Sequence, residues 1–194
     1  MKRFAAAATI FLCACSASVT TSHSSTGAPH PSSGGSAAGT IGENGIAFDY
    51  PTGWQRLTGL GQSASSANPP VFEISVGIDD HDIVQVSGYH LQTTVTDANI
   101  DGALAEFSSL FRRLSAQAGG GIVTPFTVEH ATGLPGLTGV ITAKNPQGID
   151  VESIIHVVFD GSTEYLINCQ YTAETKTDIA TGCDQIVSTF QLTG

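Results

Sequence analysis

The chain has 194 residues, of which 17 are acidic and 7 are basic, and its formal net charge is −10. All of the acidic residues lie from Glu43 onward with only five basic ones, so the chain without residues 1–14 carries a formal charge of −12. A field of this sign repels phosphate backbones and excludes nucleic acid binding. It also repels anionic headgroups, so any membrane contact must come from something other than basic patches.

The first 14 residues have the layout of a secretory signal peptide. Lys2 and Arg3 precede an apolar run, 4–11, that is too short to cross a hydrocarbon core as a helix. The segment Leu12-Cys13-Ala14-Cys15 that closes it resembles a bacterial lipobox, whose final cysteine is acylated and becomes the first residue after cleavage. We therefore predict lipid attachment at Cys15. The alternative is an ordinary signal peptide that contains two cysteines.

The number of cysteines agrees with this interpretation. Cys13 would leave with the signal peptide and Cys15 would carry the lipid, which leaves Cys169 and Cys183 as one pair. An oxidising compartment favours a disulfide bond between these two. We predict this bond, which closes a loop of about 15 residues.

Residues 15–44 are predicted to be a disordered tether and residues 45–194 a single folded domain. From Ser16 to Thr40 the chain has eight Ser, four Thr, four Gly, four Ala and two Pro, without any charged residue. Such a composition cannot form a core. A coil of this kind spans roughly 25–30 Å, which would hold the domain clear of the headgroups.

Alternation of apolar and polar residues predicts strands at 45–50, 71–78 and 83–91, with one face of the sheet solvated. Asp79-Asp80-His81-Asp82 lies between the second and third of these. It lacks the glycine and glutamate spacing of a calcium loop, so we interpret it as a solvated hairpin tip.

A helix is predicted to begin at Thr96 or Asp97 and to end at the glycines of 119–121. A meander of strands follows over residues 122–171, and a last helix begins at a capping box formed by Thr175 and Asp178. These elements predict an α+β sandwich, with a mainly antiparallel sheet and packed helices. The apolar stripe of the first helix is Ile100, Leu104, Phe107, Phe111 and Leu114.

The domain has no motif that indicates catalysis or metal binding. It lacks Gly-x-Ser-x-Gly, His-x-x-x-His and Cys-x-x-Cys. His156, between two apolar residues, is interpreted as a solvated strand residue. We predict that the protein is not an enzyme and that it has no catalytic residue, no metal site and no cofactor.

Four short segments carry a resemblance to a known family. They are Phe48-Asp49-Tyr50-Pro51-Thr52-Gly53-Trp54, Gly133-Leu134-Pro135-Gly136, Tyr165-Leu166-Ile167 and Ile186-Val187-Ser188-Thr189-Phe190. With these segments and this order of strands and helices, the chain resembles the PsbP/Mog1-like fold. It is similar to actinobacterial lipoproteins with that fold.

The resemblance implies a monomeric, non-enzymatic accessory module, anchored by acyl chains on the extracytoplasmic face of the cell membrane. It implies an envelope lipid, a glycolipid or a membrane transport protein as the partner. Because apolar pockets need large apolar side chains, Trp54, Phe107 and Phe111 are the candidate ligand contacts, with core packing as their alternative role. A protein-interaction module without a small ligand and a hydrolase are the alternative functions.

Overall fold

A computed structural model of the chain describes residues 39–58, 69–145 and 147–193. The predicted signal peptide, Cys15 and most of the predicted tether lie outside the described residues. The elements in chain order are β1 (Gly39–Glu43), β2 (Ile46–Tyr50), β3 (Gln55–Leu57), β4 (Phe72–Gly77), β5 (Ile83–His90), α1 (Ile100–Gln117), β6 (Gly121–Glu129), β7 (Gly136–Lys144), β8 (Asp150–Asp160), β9 (Thr163–Tyr171), α2 (Lys176–Thr189) and β10 (Gln191–Leu192).

Seven strands form one antiparallel sheet in the order β3-β4-β5-β9-β8-β7-β6. Successive side chains of β8 and β9 point to opposite faces of this sheet. On one face of β9, Tyr165, Ile167 and Cys169 are buried against α2, as the sequence predicts. On the other face, Leu166 belongs to a second apolar core with α1.

The two faces of this sheet are covered differently. A three-stranded sheet, β1-β2-β10, shares one core with α2 and the inner strands of the large sheet. On the opposite face α1 packs against β6 and β7, and its aromatic residues reach β8. The result is a layered α+β sandwich, which confirms the predicted fold class. None of the helices within the described residues is long and apolar enough to cross a membrane.

The disulfide bond forms as predicted. Cys169 on β9 and Cys183 on α2 have Cα atoms 5.9 Å apart and are bonded to each other, and both are fully buried. The bond therefore joins α2 to the middle of the large sheet.

The folded domain begins before residue 45. Residues 39–43, predicted as tether, form β1 and pair with β2, with Ile41 opposite Phe48. Ile41 is buried, and the Thr40 hydroxyl donates a hydrogen bond to Asp49. The composition of this segment is that of a linker, but one buried isoleucine and a partner strand are enough to order it.

The helix starts differ in detail from the prediction. Helix α1 begins after Asn99, not at Thr96 or Asp97, because the Asn99 side chain accepts the backbone N–H of Thr96 and completes a turn first. It ends at Gln117, just before Gly119, whose φ is 75°, so the glycines terminate the helix as predicted. Thr175 does precede α2, but its hydroxyl donates to Asp82 and does not cap the helix, so the predicted capping box is not formed.

Two side chains predicted to be solvated are not. Asp82, in the hairpin between β4 and β5, is 4% exposed. His156 on β8 is half-buried, and its Nδ1 atom lies 2.7 Å from Glu129 Oε1 on β6. In both cases the burial comes from partners far away in the sequence.

Candidate functional site

A cleft of about 420 Å³ lies at the end of the large sheet where the C-terminus of α1 and the N-terminus of α2 approach the same strand ends. It contains glycine backbone, small apolar side chains and several charged groups, as ligand sites commonly do. Its lining residues are Gly119, Gly120, Thr142, Ala143, Asp150, Val151, Glu152, Tyr171, Ala173 and Lys176.

One wall of the cleft is held in place by the junction of α1 with β7. The Ser115 hydroxyl donates to the Thr142 carbonyl oxygen at 2.6 Å, and the Lys144 N–H donates to the Ala118 carbonyl oxygen at 2.7 Å. A Cβ atom at Gly120 would lie 1.9 Å from the same Thr142 oxygen. Glycine at position 120 is therefore required for this close approach.

Glu152, Tyr171 and Lys176 form the polar centre of the cleft. Lys176 Nζ lies 2.8 Å from Glu152 Oε1, and the Tyr171 hydroxyl donates to the same oxygen. Lys176 Nζ also lies 5.6 Å from the centre of the Tyr171 ring. One carboxylate thus fixes both a cation and a phenol, because β8 and β9 place Glu152 directly opposite Tyr171.

The pKa values of this centre follow from its contacts. Burial raises the pKa of Glu152, but the hydrogen bonds from Lys176 and Tyr171 and the charge of Lys176 outweigh it, so the carboxyl pKa is below its ordinary value. The pKa of Tyr171 is raised, first by burial and then by its hydrogen bond to Glu152 and the charge of that group. At neutral pH the centre therefore holds a charged pair and a neutral phenol.

A second hollow of about 250 Å³ adjoins this cleft. It is lined by Leu114, Ser115, Gln117, Ala118, Ile141, Ala143 and Ser153. Ala143 belongs to both linings, so a cleft with a charged centre and a more apolar hollow meet at this residue. The arrangement suits a molecule with one polar part and one apolar part.

The candidate contacts named from the sequence lie elsewhere and are not brought together. Phe107 and Phe111 are 2% and 0% exposed and pack against Phe159 and Phe126, respectively. Trp54 is half-buried on the α2 side, close against Gly182. None of the three lines the two hollows described above. Their role as ligand contacts stays a prediction, and for Phe107 and Phe111 it would require the core to open.

No local sequence motif distinguishes Glu152, Tyr171 or Lys176, but one turn signal relates the first two. The Asp160-Gly161 turn fixes the register of β8 and β9, and that register sets Glu152 opposite Tyr171. The position of Lys176 depends on how α2 docks, which the sequence pattern does not give. Among the described residues, no group of three His, Cys, Asp or Glu side chains is arranged to hold a metal ion.

Comparison with the models of known protein families gives no match, and comparison with curated protein sequences gives none either. Among solved structures, the chain is similar to the solution structure of cyanobacterial PsbP (CyanoP) from Synechocystis sp. PCC 6803. The two are 12% identical with a TM-score of 0.57, over 85% of this chain and 98% of that one.

A crystal structure from Bacteroides thetaiotaomicron matches at 8% identity and a TM-score of 0.40, over 76% of this chain and 45% of that one. The likeness to CyanoP covers nearly the whole of that chain. The fold of this protein is PsbP-like, as the sequence predicts.

Proposed function

We propose that this protein is a cell-envelope lipoprotein whose domain is a non-enzymatic binding module for a lipid or glycolipid. The observation that carries the proposal is the junction, at Ala143, of the cleft that contains the charged centre with the more apolar hollow. A sugar headgroup would contact Lys176 and Glu152, and the first part of an alkyl chain would lie beside Leu114 and Ile141. Burial of each methylene contributes about 0.8 kcal/mol to such binding.

The proposed location rests on the lipobox-like segment that ends at Cys15. The bond between Cys169 and Cys183 supports it, because those two thiols are consumed within the domain and are not partners for Cys15. The acyl chains would anchor the protein on the extracytoplasmic face, and the Ser- and Thr-rich segment would let the domain reach lipids or a membrane transport protein nearby.

The accessory role is proposed from the fold and the cleft together. A PsbP-like fold is compatible with a module that has no catalytic activity of its own. In the cleft, Lys176, Tyr171 and Glu152 satisfy one another through hydrogen bonds and charge. Because these three side chains hold one another in place, they are suited to fix the position of a bound headgroup.

Native mass spectrometry of the protein purified from its own membrane tests ligand binding. We expect co-purified lipid with the wild-type chain, less with Lys176→Met, which removes the cation, and less with Ala143→Leu, which fills the junction. Arg112→Ala, an exposed change on α1, is the control and should retain the lipid. A wild-type mass without any added ligand would contradict the proposal.

Metabolic labelling with a palmitate analogue tests the anchor independently. We expect the wild-type chain to be labelled and Cys15→Ala to be unlabelled. Equal labelling of the two chains would overturn lipid attachment at Cys15.

A further inference from the structure

The cleft and the hollow lie on opposite faces of the large sheet. Tyr171, at the charged centre of the cleft, belongs to the core that α2 shares, and Glu152 is directly opposite it on β8. Ile141, in the hollow, belongs to the core that α1 covers. The two spaces meet at the end of the sheet, where Ala143 lines both. A molecule that occupies both must bend round this end, which a flexible alkyl chain does and a rigid ring system does not.

The hollow is short in the direction of the strands. Along β7 its lining runs from Ile141 to Ala143, which is about 7 Å at the usual rise of a strand. Along α1 it runs from Leu114 to Ala118, which is about 6 Å at the rise of an α-helix. An extended chain advances roughly 1.2 Å per bond, as the polypeptide backbone does. The lining therefore contacts about six carbons of one alkyl chain.

The volume of the hollow gives a similar limit. The hollow holds about 250 Å³, and a methylene group needs roughly the 30 Å³ that one water molecule takes up in the liquid. One alkyl chain would fill this space with about eight carbons. Two chains on the same headgroup would fill it with about four carbons each, so the hollow suits one chain.

The sheet next to the hollow is polar. Ser153, in the lining, is directly opposite Gln170 on β9. On the same face, Gln85 on β5 is opposite Ser75 on β4, and these two side chains and Gln170 are buried. The sequence pattern predicts a solvated face for β4, so the burial of Ser75 corrects that expectation. Because these side chains are polar, a longer alkyl chain would gain little beside them, and the apolar path ends near Ser153.

We propose that the hollow receives one alkyl chain of the bound glycolipid to a depth of about six to eight carbons, and that the rest of the apolar part stays in the bilayer. This inference rests on the proposed function and adds a mode of action to it. The domain holds the lipid at the membrane and does not carry it through water. A carrier has to cover the whole chain, because each methylene left in water lowers the affinity about fourfold.

The test is photo-crosslinking of the full chain in phosphatidylcholine nanodiscs. The probes are dodecyl maltosides that carry a diazirine at the fourth, sixth or eleventh carbon of the chain, and mass spectrometry identifies the labelled residues. We expect the fourth- and sixth-carbon probes to label residues 114–118 of α1 and 141–143 of β7. The eleventh-carbon probe should label the nanodisc lipid and leave both segments unlabelled, because its diazirine lies beyond the hollow.

Variants of the hollow show whether the labelling comes from it. Ala143→Leu fills the junction and should remove the labelling of both segments by the fourth- and sixth-carbon probes. Leu114→Gln places a polar group in the wall of the hollow and should have the same effect, so it replaces Ala143→Leu if that variant does not fold. Arg113→Gln is the matched control, because it introduces the same side chain at an exposed neighbouring position on α1. It should be labelled as wild type is.

Three outcomes would overturn this inference. Equal labelling of both segments by the sixth- and eleventh-carbon probes would mean that the domain covers the whole chain, as a carrier does, and would leave the proposed function standing. Labelling that survives both Ala143→Leu and Leu114→Gln would mean that the probes bind outside the hollow. No labelling of either segment by any probe would overturn the inference and the proposed function together.

Discussion

Asp82 ties the β4–β5 hairpin to the start of α2. Its carboxylate accepts the backbone N–H of Thr172 at 2.6 Å and the hydroxyl of Thr175. Asp79 supports this geometry by accepting the N–H groups of His81 and Asp82. The local sequence correctly predicts a turn here, but the partners of Asp82 follow about 90 residues later, so its burial was not predictable from the pattern.

We expect Asp82→Ala to lower the free energy of unfolding by about 2 kcal/mol, because it removes the carboxylate that accepts hydrogen bonds from the part-buried Thr172 N–H and Thr175 hydroxyl. Asp80→Ala, an exposed neighbour in the same turn, should change it by less than about 0.5 kcal/mol. Urea denaturation of both variants measures the difference. Equal effects of the two substitutions would contradict the role given to Asp82.

Glu164 makes stability depend on pH. Its pKa is raised to about 8 in the folded chain by burial, above the ordinary value of 4.5, so the folded state binds the proton more tightly than the unfolded state does. The stability associated with this proton is complete below about pH 4.5 and is lost as the pH rises through about 8. Glu73 and Tyr89, which face Glu164, have raised pKa values for the same reason, burial.

We expect the wild-type chain to lose stability between about pH 5 and pH 8 more steeply than Glu164→Gln, whose amide does not titrate. Chemical denaturation at several pH values measures both slopes. Glu73 is present in both chains, so its contribution cancels in the comparison. Parallel slopes would mean that Glu164 is ionised in the folded protein at neutral pH.

At the level of elements, alternation along the chain predicted the long strands well. The buried faces of β8 and β9 are those expected, because a period of two is a local property. The short strands β3 and β10 were not predicted, since three and two residues carry too little pattern. They exist because β4 and β2 offer them free edges.

The disulfide bond makes α2 and β9 one unit. We expect the double variant Cys169→Ala/Cys183→Ala to lose about 3 kcal/mol of unfolding free energy, the loop-entropy value for a loop of this length. Intact mass without reductant should be two daltons below that of the reduced chain. Urea denaturation measures the loss, and Cys15→Ala, outside the described residues, is the control expected to keep wild-type stability.

At the level of the whole molecule, the fold was more predictable than the candidate site. The large aromatic residues of α1 were expected either to bind a ligand or to fill the core, and the structure uses Phe107 and Phe111 for the core. The cleft combines Glu152, Tyr171 and Lys176 from two strands and a helix. Such a combination depends on the docking of α2, which no local pattern specifies.

Net charge leads to a prediction about membrane attachment. Because the domain carries far more acidic than basic residues, electrostatic attraction to an anionic surface cannot hold it there. We expect the protein to remain in the membrane fraction after a wash in about 1 M salt, where screening is nearly complete, and to be released by detergent. Release by salt alone would contradict attachment through acyl chains.

The three-stranded sheet also determines how mechanical load enters the domain. The chain from the proposed lipid anchor at Cys15 would enter the fold at Gly39, and β1 is held by its pairing with β2, from Gly39 opposite Tyr50 to Glu43 opposite Ile46. Tension on the tether would act first on these backbone hydrogen bonds and not on the core around α1. Detachment of β1 would lengthen the proposed tether by several residues while the large sheet stays intact. In a protein anchored as proposed, we therefore expect β1 to be the first element that unfolds under tension.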